Sequence, residues 1–297
     1  VTLSLAATPI ATLAAIPAPP VSGIELGPLD VRLYGVLIAL GAYLALRWTS
    51  SRYEAAGGDP ELAERAGLAA LLFGFLGARI GYVLPRLERF VDDPLAILAI
   101  WQGGLALFGG LIAGTIAVIV VIRRGRGDVP AMADAVAPAL PLAQAIGRWG
   151  NYFNQELYGR PTDLPWALEV EPRFRRSGFA DAETFHPTFL YESLWNLALV
   201  ALIVRLGRRR ALPQGALILV YAVGYGLGRF LIETLRIDTV ERYAGLSRNN
   251  WIALALVVVG LVGLLRLRSA QPSESSVLPE AGAGAEDGDG ADDGDGA

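Results

Sequence analysis

Apolar residues along the chain gather into seven blocks, at 33–46, 62–84, 95–122, 132–146, 188–206, 215–235 and 251–267. Most of them approach the ~20 residues a helix needs to cross a hydrocarbon core. The polar breaks between blocks are short, except for 160–186, a stretch rich in Pro, Asp and Glu that follows the fourth block. The pattern predicts an all-α polytopic membrane protein: about seven transmembrane helices with a small extracytoplasmic insertion between spans four and five. Residues 1–31 then form an extracytoplasmic N-terminal segment and 32–268 the transmembrane domain, with the insertion at 160–186. Within the third block, Gly103-Gly104 and Gly109-Gly110 weaken a helix and invite a break. In the second, Gly74 with Ala78 and Gly77 with Gly81 have the small-residue spacing of closely packed membrane helices.

Composition agrees with this class and narrows the chemistry. The chain is 53% hydrophobic and 18% charged, with 35 glycines, against about 25% charged residues in a soluble domain. There is no cysteine, which removes disulfides, thiolate metal sites and a cysteine nucleophile of the protein's own. One histidine, His186, cannot build a multi-histidine metal site, and the absence of lysine removes Schiff-base chemistry. The net charge of −4 hides an uneven distribution. Eight of the 29 acids lie in 271–297, which has no arginine, so the body sets 25 arginines against 21 acids. Residues 269–297 are Gly/Ala/Asp repetition with nothing to bury, and are expected to be a disordered acidic cytoplasmic tail. Residues 1–20 lack a basic region, so a cleavable signal peptide is not expected. Arg123, Arg124 and Arg126 form one cluster and Arg205, Arg208, Arg209 and Arg210 another, two spans apart and therefore on one face. With Arg47, Arg52, Arg266 and Arg268, they mark that face as cytoplasmic and place the N-terminus outside and the C-terminus inside.

Three polar constellations stand where membrane helices are ordinarily apolar, and ionisable groups at that depth are costly. The first is the run from Gly147 to Arg160. If it is helical, Arg148, Asn151 and Gln155 share a face, and an arginine beside amides makes a cradle for a phosphate. The bland reading is an interfacial loop with a snorkelling arginine. The second sets Tyr225, Arg229, Glu233 and Arg236 on one stripe, where Arg229 and Glu233 can pair and one positive charge is left for an anionic lipid head. Its alternative is a purely structural ion pair. The third runs from His186 through Pro187 and Thr188 to Tyr191-Glu192; a lone histidine before proline is more often a cap than a catalyst. Tyr34, after Arg32, would by itself belong to an aromatic belt.

Taken together these motifs resemble the phosphatidylglycerol–prolipoprotein diacylglyceryl transferases. The fourteen residues from Gly147 to Arg160 resemble the family signature. The likeness continues through Arg32-Leu33-Tyr34-Gly35, Gly77-Ala78-Arg79-Ile80-Gly81-Tyr82, Gly103-Gly104, His186-Pro187-Thr188 with Tyr191-Glu192, and Arg229 with Glu233 and Arg236, in family order across 30–267. The resemblance implies a bacterial cell-membrane enzyme, with 32–268 its catalytic domain and an outward-facing active site. The expected reaction is the first step of lipoprotein maturation: the lipobox cysteine of a prolipoprotein signal peptide displaces glycerol phosphate from phosphatidylglycerol. Arg148, Arg229, Glu156, Glu233 and Tyr34 are the implied catalytic residues, and Arg148, Asn151, Gly159, Arg236 and His186 the implied substrate-binding ones. Arg148 and Arg229 would stabilise the leaving phosphate, oriented by Glu156 and Glu233, while Asn151 and Tyr34 would hydrogen-bond the lipid head. No metal or organic cofactor is implied, and no nucleic-acid partner. One position departs: Phe108 stands where many members carry a histidine between the Gly103-Gly104 and Gly109-Gly110 pairs. The rival reading is a transporter or flippase of an anionic phospholipid, using the same arginines to bind; a glycine-broken span would suit it, but the chain has no internal repeat.

Overall fold

A computed structural model describes residues 15–26, 29–100, 103–209, 212–238 and 242–269. The acidic stretch 271–297, residues 1–14 and Arg210 lie outside them. Eight α-helices dominate the described residues: α1 Leu33–Ala55, α2 Pro60–Val83, α3 Leu107–Arg124, α4 Val129–Val136, α5 Ala139–Phe153, α6 Thr188–Arg208, α7 Ala216–Glu233 and α8 Arg248–Ser269. They make seven segments long and apolar enough to cross a membrane, α4 and α5 together forming the fourth, Val129–Phe153. The described residues also form three two-stranded antiparallel ribbons: β1 Gly23–Leu26 with β2 Leu29–Arg32, β3 Leu168–Glu169 with β4 Thr184–Phe185, and β5 Arg242–Tyr243 with β6 Leu246–Ser247. Leu72, Phe73, Ile112, Val259 and Leu265 are exposed on α2, α3 and α8, as side chains facing hydrocarbon rather than water would be.

The third block divides where its glycines allow. Gly103 and Gly104 adopt φ of +85° and +81°, which no helix accommodates, so α3 begins only at Leu107. Gly109 and Gly110 do not break the chain, contrary to the expectation. They lie inside α3 and meet α2: a Cβ on Gly109 would run into the Gly77 carbonyl, and one on Gly110 would sit 3.0 Å from the Gly74 carbonyl. The glycine spacings of α2 and α3 are thus one contact, in which two backbones approach too closely for any side chain. Residues on both sides of the released stretch are held by Arg79, whose guanidinium donates to the carbonyls of Ala96, Ile97 and Gly103 at 2.7 Å and Gly104 at 3.0 Å.

Helix starts follow local chemistry. Asp59 caps α2 by accepting from Glu61 N, with Pro60 in the first turn, and Asp128 caps α4 through Ala131 N with Pro130 beside it. α7 has no cap of its own. Asp134, reaching across from α4, accepts from Gly215 N and Leu217 N at 2.8 Å each, which ties the start of α7 to the fourth span. At this end a core of Tyr53, Leu62, Ala66, Ile122 and Met132 closes the bundle. At the opposite end a second core of Tyr158, Leu168, Val170, Phe185 and Phe189 lies beneath the 160–186 insertion, and Ile16 bridges to Leu168 there.

Candidate active site

α5, α6 and α7 are neighbours, and at the insertion end they bring charge together. α5 and α7 end there while α6 begins there, so Arg148 and Arg229 lie near helix C-termini and Glu192 near an N-terminus. Each sign complements its helix dipole. Glu192, 4% exposed, is the centre. Its Oε2 takes Arg148 Nε at 2.7 Å, and its Oε1 takes an Arg229 terminal nitrogen at 3.3 Å with an Arg236 nitrogen 3.9 Å away. Glu233 Oε2 pairs with Arg229 at 2.6 Å and lies 3.7 Å from Arg236 Nε, while its Oε1 accepts from Asn249 at 2.8 Å and Ser247 at 3.1 Å. Arg236 forks onto Asp238, at 2.7 Å and 2.5 Å. Burial alone would push the Asp238 carboxyl up, but the Arg236 guanidinium holds it below the usual carboxylate range.

These contacts revise several expectations. The stripe on α7 does not keep a surplus positive charge: Arg148, Arg229 and Arg236 face three acids, Glu192, Glu233 and Asp238. Glu192 ends a motif that implies no role for it, and Asp238 and Asn249 sit in or after a loop without any pattern to mark them. An acid five residues into a membrane span was itself the available signal for Glu192. Gln155 does not share a face with Arg148 and Asn151. α5 stops at Phe153, Gln155 takes φ +50° and turns away to Glu171, donating to its carboxylate at 2.6 Å. Glu156 does not hold Arg148 directly. It accepts from Asn151 Nδ2 at 2.9 Å, and Asn151 Oδ1 in turn accepts from Arg148 at 3.2 Å. Both ends of the Asn151 amide are thereby engaged by the protein.

Gly159 is buried where three segments cross. Its N–H donates to His186 O at 2.9 Å, it bridges Arg236, and a Cβ would lie 2.8 Å from the His186 Cβ and 3.1 Å from Leu235 O. The sequence proposed it as substrate-binding; its geometry makes it the residue whose missing side chain lets the signature strand seat Arg236. Tyr34 stacks its ring over Gly150 of α5, and no described residue hydrogen-bonds its hydroxyl. Phe108, the second residue of α3, is 51% exposed.

His186 hydrogen-bonds Tyr191 through Nδ1 at 3.2 Å, and Tyr191 also accepts from Trp166 at 3.0 Å. Burial first, and the Arg160 guanidinium second, hold its imidazole below the ordinary value. It is therefore neutral at pH 7, engaged in orienting its own loop. His186→Gln, which can keep the bond to Tyr191, is expected to retain a measurable fraction of transfer, and the rate to keep rising with pH through the range of a free thiol near ~8.5. A folded but dead His186→Gln protein, with a wild-type rate that rises and levels below pH ~6.5, would identify the imidazole as the base instead.

Residues 22–266 match the family model described as prolipoprotein diacylglyceryl transferase. The chain is similar to phosphatidylglycerol–prolipoprotein diacylglyceryl transferase 2 of Streptomyces coelicolor, 41% identical over 92% of this chain and 87% of that one. It is also similar to the phosphatidylglycerol–prolipoprotein diacylglyceryl transferases of Frankia alni (40% identical, over 90% of this chain and 71% of that one) and Corynebacterium diphtheriae (39%, over 89% and 98%).

Proposed function

The chain belongs to the prolipoprotein diacylglyceryl transferase family, and from that premise we propose how its buried arginines carry out the transfer. It is a multi-pass membrane enzyme that moves the diacylglyceryl group of phosphatidylglycerol onto a prolipoprotein. The acceptor in this reading is the lipobox cysteine thiol. Its thiolate attacks the glyceryl carbon, a C–S bond forms, and the C–O bond to phosphate breaks with its electron pair on the leaving glycerol phosphate. The thiol proton passes to solvent. The chain supplies no cysteine and Phe108 no base, so the thiol pKa has to fall by another route, and nearby cations lower it.

The observation that carries the reading is the Arg148–Glu192–Arg229 bridge, two guanidiniums aimed by a single buried carboxylate at 2.7 Å and 3.3 Å. Charge on the phosphate grows as the C–O bond breaks, so donors fixed in advance stabilise the transition state more than the ground state. Glu156 and Asn151 serve as positioning residues for Arg148, and Glu233 for Arg229. Arg236, Gly159 and His186 hold the frame, and Tyr34, whose hydroxyl has no hydrogen-bond partner among the described residues, serves the lipid head in this reading. The site faces away from the cytoplasm in this reading, because the helix ends and short turns at the other end carry Arg123, Arg124, Arg126, Arg205, Arg208 and Arg209. Purified protein with labelled phosphatidylglycerol and a lipobox peptide tests the whole. A diacylglyceryl mass gain on the peptide cysteine is expected. Lipid that changes leaflet in vesicles while the peptide stays unmodified would return the case to a transporter.

A further inference from the structure

Beneath the arginine–carboxylate cluster the same three helices carry a second polar layer. Gln144 precedes Arg148 by four residues on α5, Tyr225 precedes Arg229 by four on α7, and Asn196 follows Glu192 by four on α6. Four residues make one turn, about 6 Å. Because α6 runs against the other two, all three steps lead the same way, deeper into the bundle. Gln144 Nε2 donates to the Tyr221 hydroxyl at 2.9 Å, and the Tyr221 ring stacks on Tyr225 at 5.6 Å, so the layer joins α5 to α7 directly.

This layer has no charge, and two of its acceptors are unserved. Gln144 Oε1 and Asn196 Oδ1 are buried and receive no hydrogen bond from any described residue; Asn196 is 2% exposed. Buried amide oxygens at membrane depth are costly unless something donates to them. The structure makes no use of the two oxygens themselves: Gln144 serves Tyr221 through its nitrogen alone, and leucine in place of Asn196 would fill the same space without the cost.

We propose that Gln144 and Asn196 form the subsite for the glycerol end of the phosphatidylglycerol head group, and so select a polyol head over other phospholipids. The proposal rests on the reading that Arg148 and Arg229 hold the phosphate. From there the head-group hydroxyls sit on the second and third carbons, a reach comparable to one helical turn. A hydroxyl both donates and accepts, so it satisfies the Gln144 amide in either orientation relative to Tyr221. An ethanolamine head would bring an ammonium into the layer. The nearest acids, Glu192 and Glu233 one turn above or more, are already paired with arginines, which leaves that charge uncompensated.

The test compares phosphatidylglycerol with phosphatidylpropanol, which has the same phosphate and acyl chains but no head-group hydroxyls. Both are presented to the purified full chain in mixed micelles with a lipobox peptide. Wild type is expected to favour phosphatidylglycerol in kcat/KM by at least about tenfold, and Gln144→Leu and Asn196→Leu each to lose most of that preference. The loss should fall on phosphatidylglycerol, with phosphatidylpropanol affected far less. A wild type that treats both lipids alike overturns the subsite, whether or not any variant folds. Equal losses on both lipids in the variants would overturn it too, by showing the amides to be structural. Arg148→Ala separates the premise: it should lower both lipids together, and retained transfer there sinks the phosphate reading while leaving the lipid preference to be judged by itself.

Discussion

Arg148→Ala is expected to lower transfer by at least about 10³-fold while leaving the protein folded in the membrane. Removing a single preorganised donor from a site of developing negative charge costs 10²–10³ in rate, roughly 3–4 kcal/mol, and in the proposed mechanism Arg148 serves both binding and charge stabilisation. The fold should survive because Glu192 does not lose its compensation. Arg229 remains 3.3 Å from it and Arg236 3.9 Å, so no buried carboxylate is left alone. Arg148→Lys should fail nearly as far. The arginine meets Glu192 through Nε and Asn151 through a terminal nitrogen, and an ammonium, whose donors all sit on one nitrogen, cannot reproduce that planar spread and also offer phosphate a bidentate fork. Transfer assays on detergent-purified variants, with thermal unfolding as the control for folding, decide this. A correctly folded Arg148→Ala protein with appreciable turnover removes the arginine from the phosphate.

How far this site could be read in advance depended on whether each residue acts along the chain or across it. Span positions were legible because a bilayer demands long apolar runs, and all seven segments recur near their expected places. Arg148, Arg229 and Glu233 were legible because a charge amid apolar neighbours is conspicuous on its own, and the i,i+4 pair of Arg229 and Glu233 is a local event. Glu192 was visible as a residue but not as a hub, since its role exists only once α5 and α7 flank α6. The same holds for Asp134 capping α7 and for Asp238 on Arg236. Gln155 was misplaced for a backbone reason. Nothing in the amino acids of 147–160 announces that the helix ends at Phe153 and that Gln155 and Leu157 take φ of +50° and +60°. Gly159 shows the converse, a residue marked as substrate-binding whose visible contacts are steric.

Glu192→Gln should separate binding from chemistry. The glutamine keeps the shape and an amide oxygen to accept from one arginine, but the cluster changes from three cations facing three acids to three facing two. A phosphate now competes with one fewer internal anion for the guanidiniums, so the KM for phosphatidylglycerol is expected to fall or stay level. The turnover should move the other way. In the wild type one carboxylate aims Arg148 and Arg229 at the same time, and a neutral amide has one acceptor oxygen for two donors. With the aim loosened, less of the interaction is reserved for the transition state, and kcat should drop by about 10²-fold, in keeping with the loss of a fixed electrostatic donor pair. Glu192→Ala goes further. It leaves Arg148 with no ion-pair partner among the described residues in a largely buried place, and removing one side of a buried ion pair costs about 3–5 kcal/mol, so that variant should also unfold at a lower temperature. Steady-state kinetics on Glu192→Gln over a lipid titration give kcat and KM apart. A raised KM with unchanged kcat would mean that Glu192 shapes lipid binding alone, and the shared-carboxylate account of how the two arginines are aimed would be wrong.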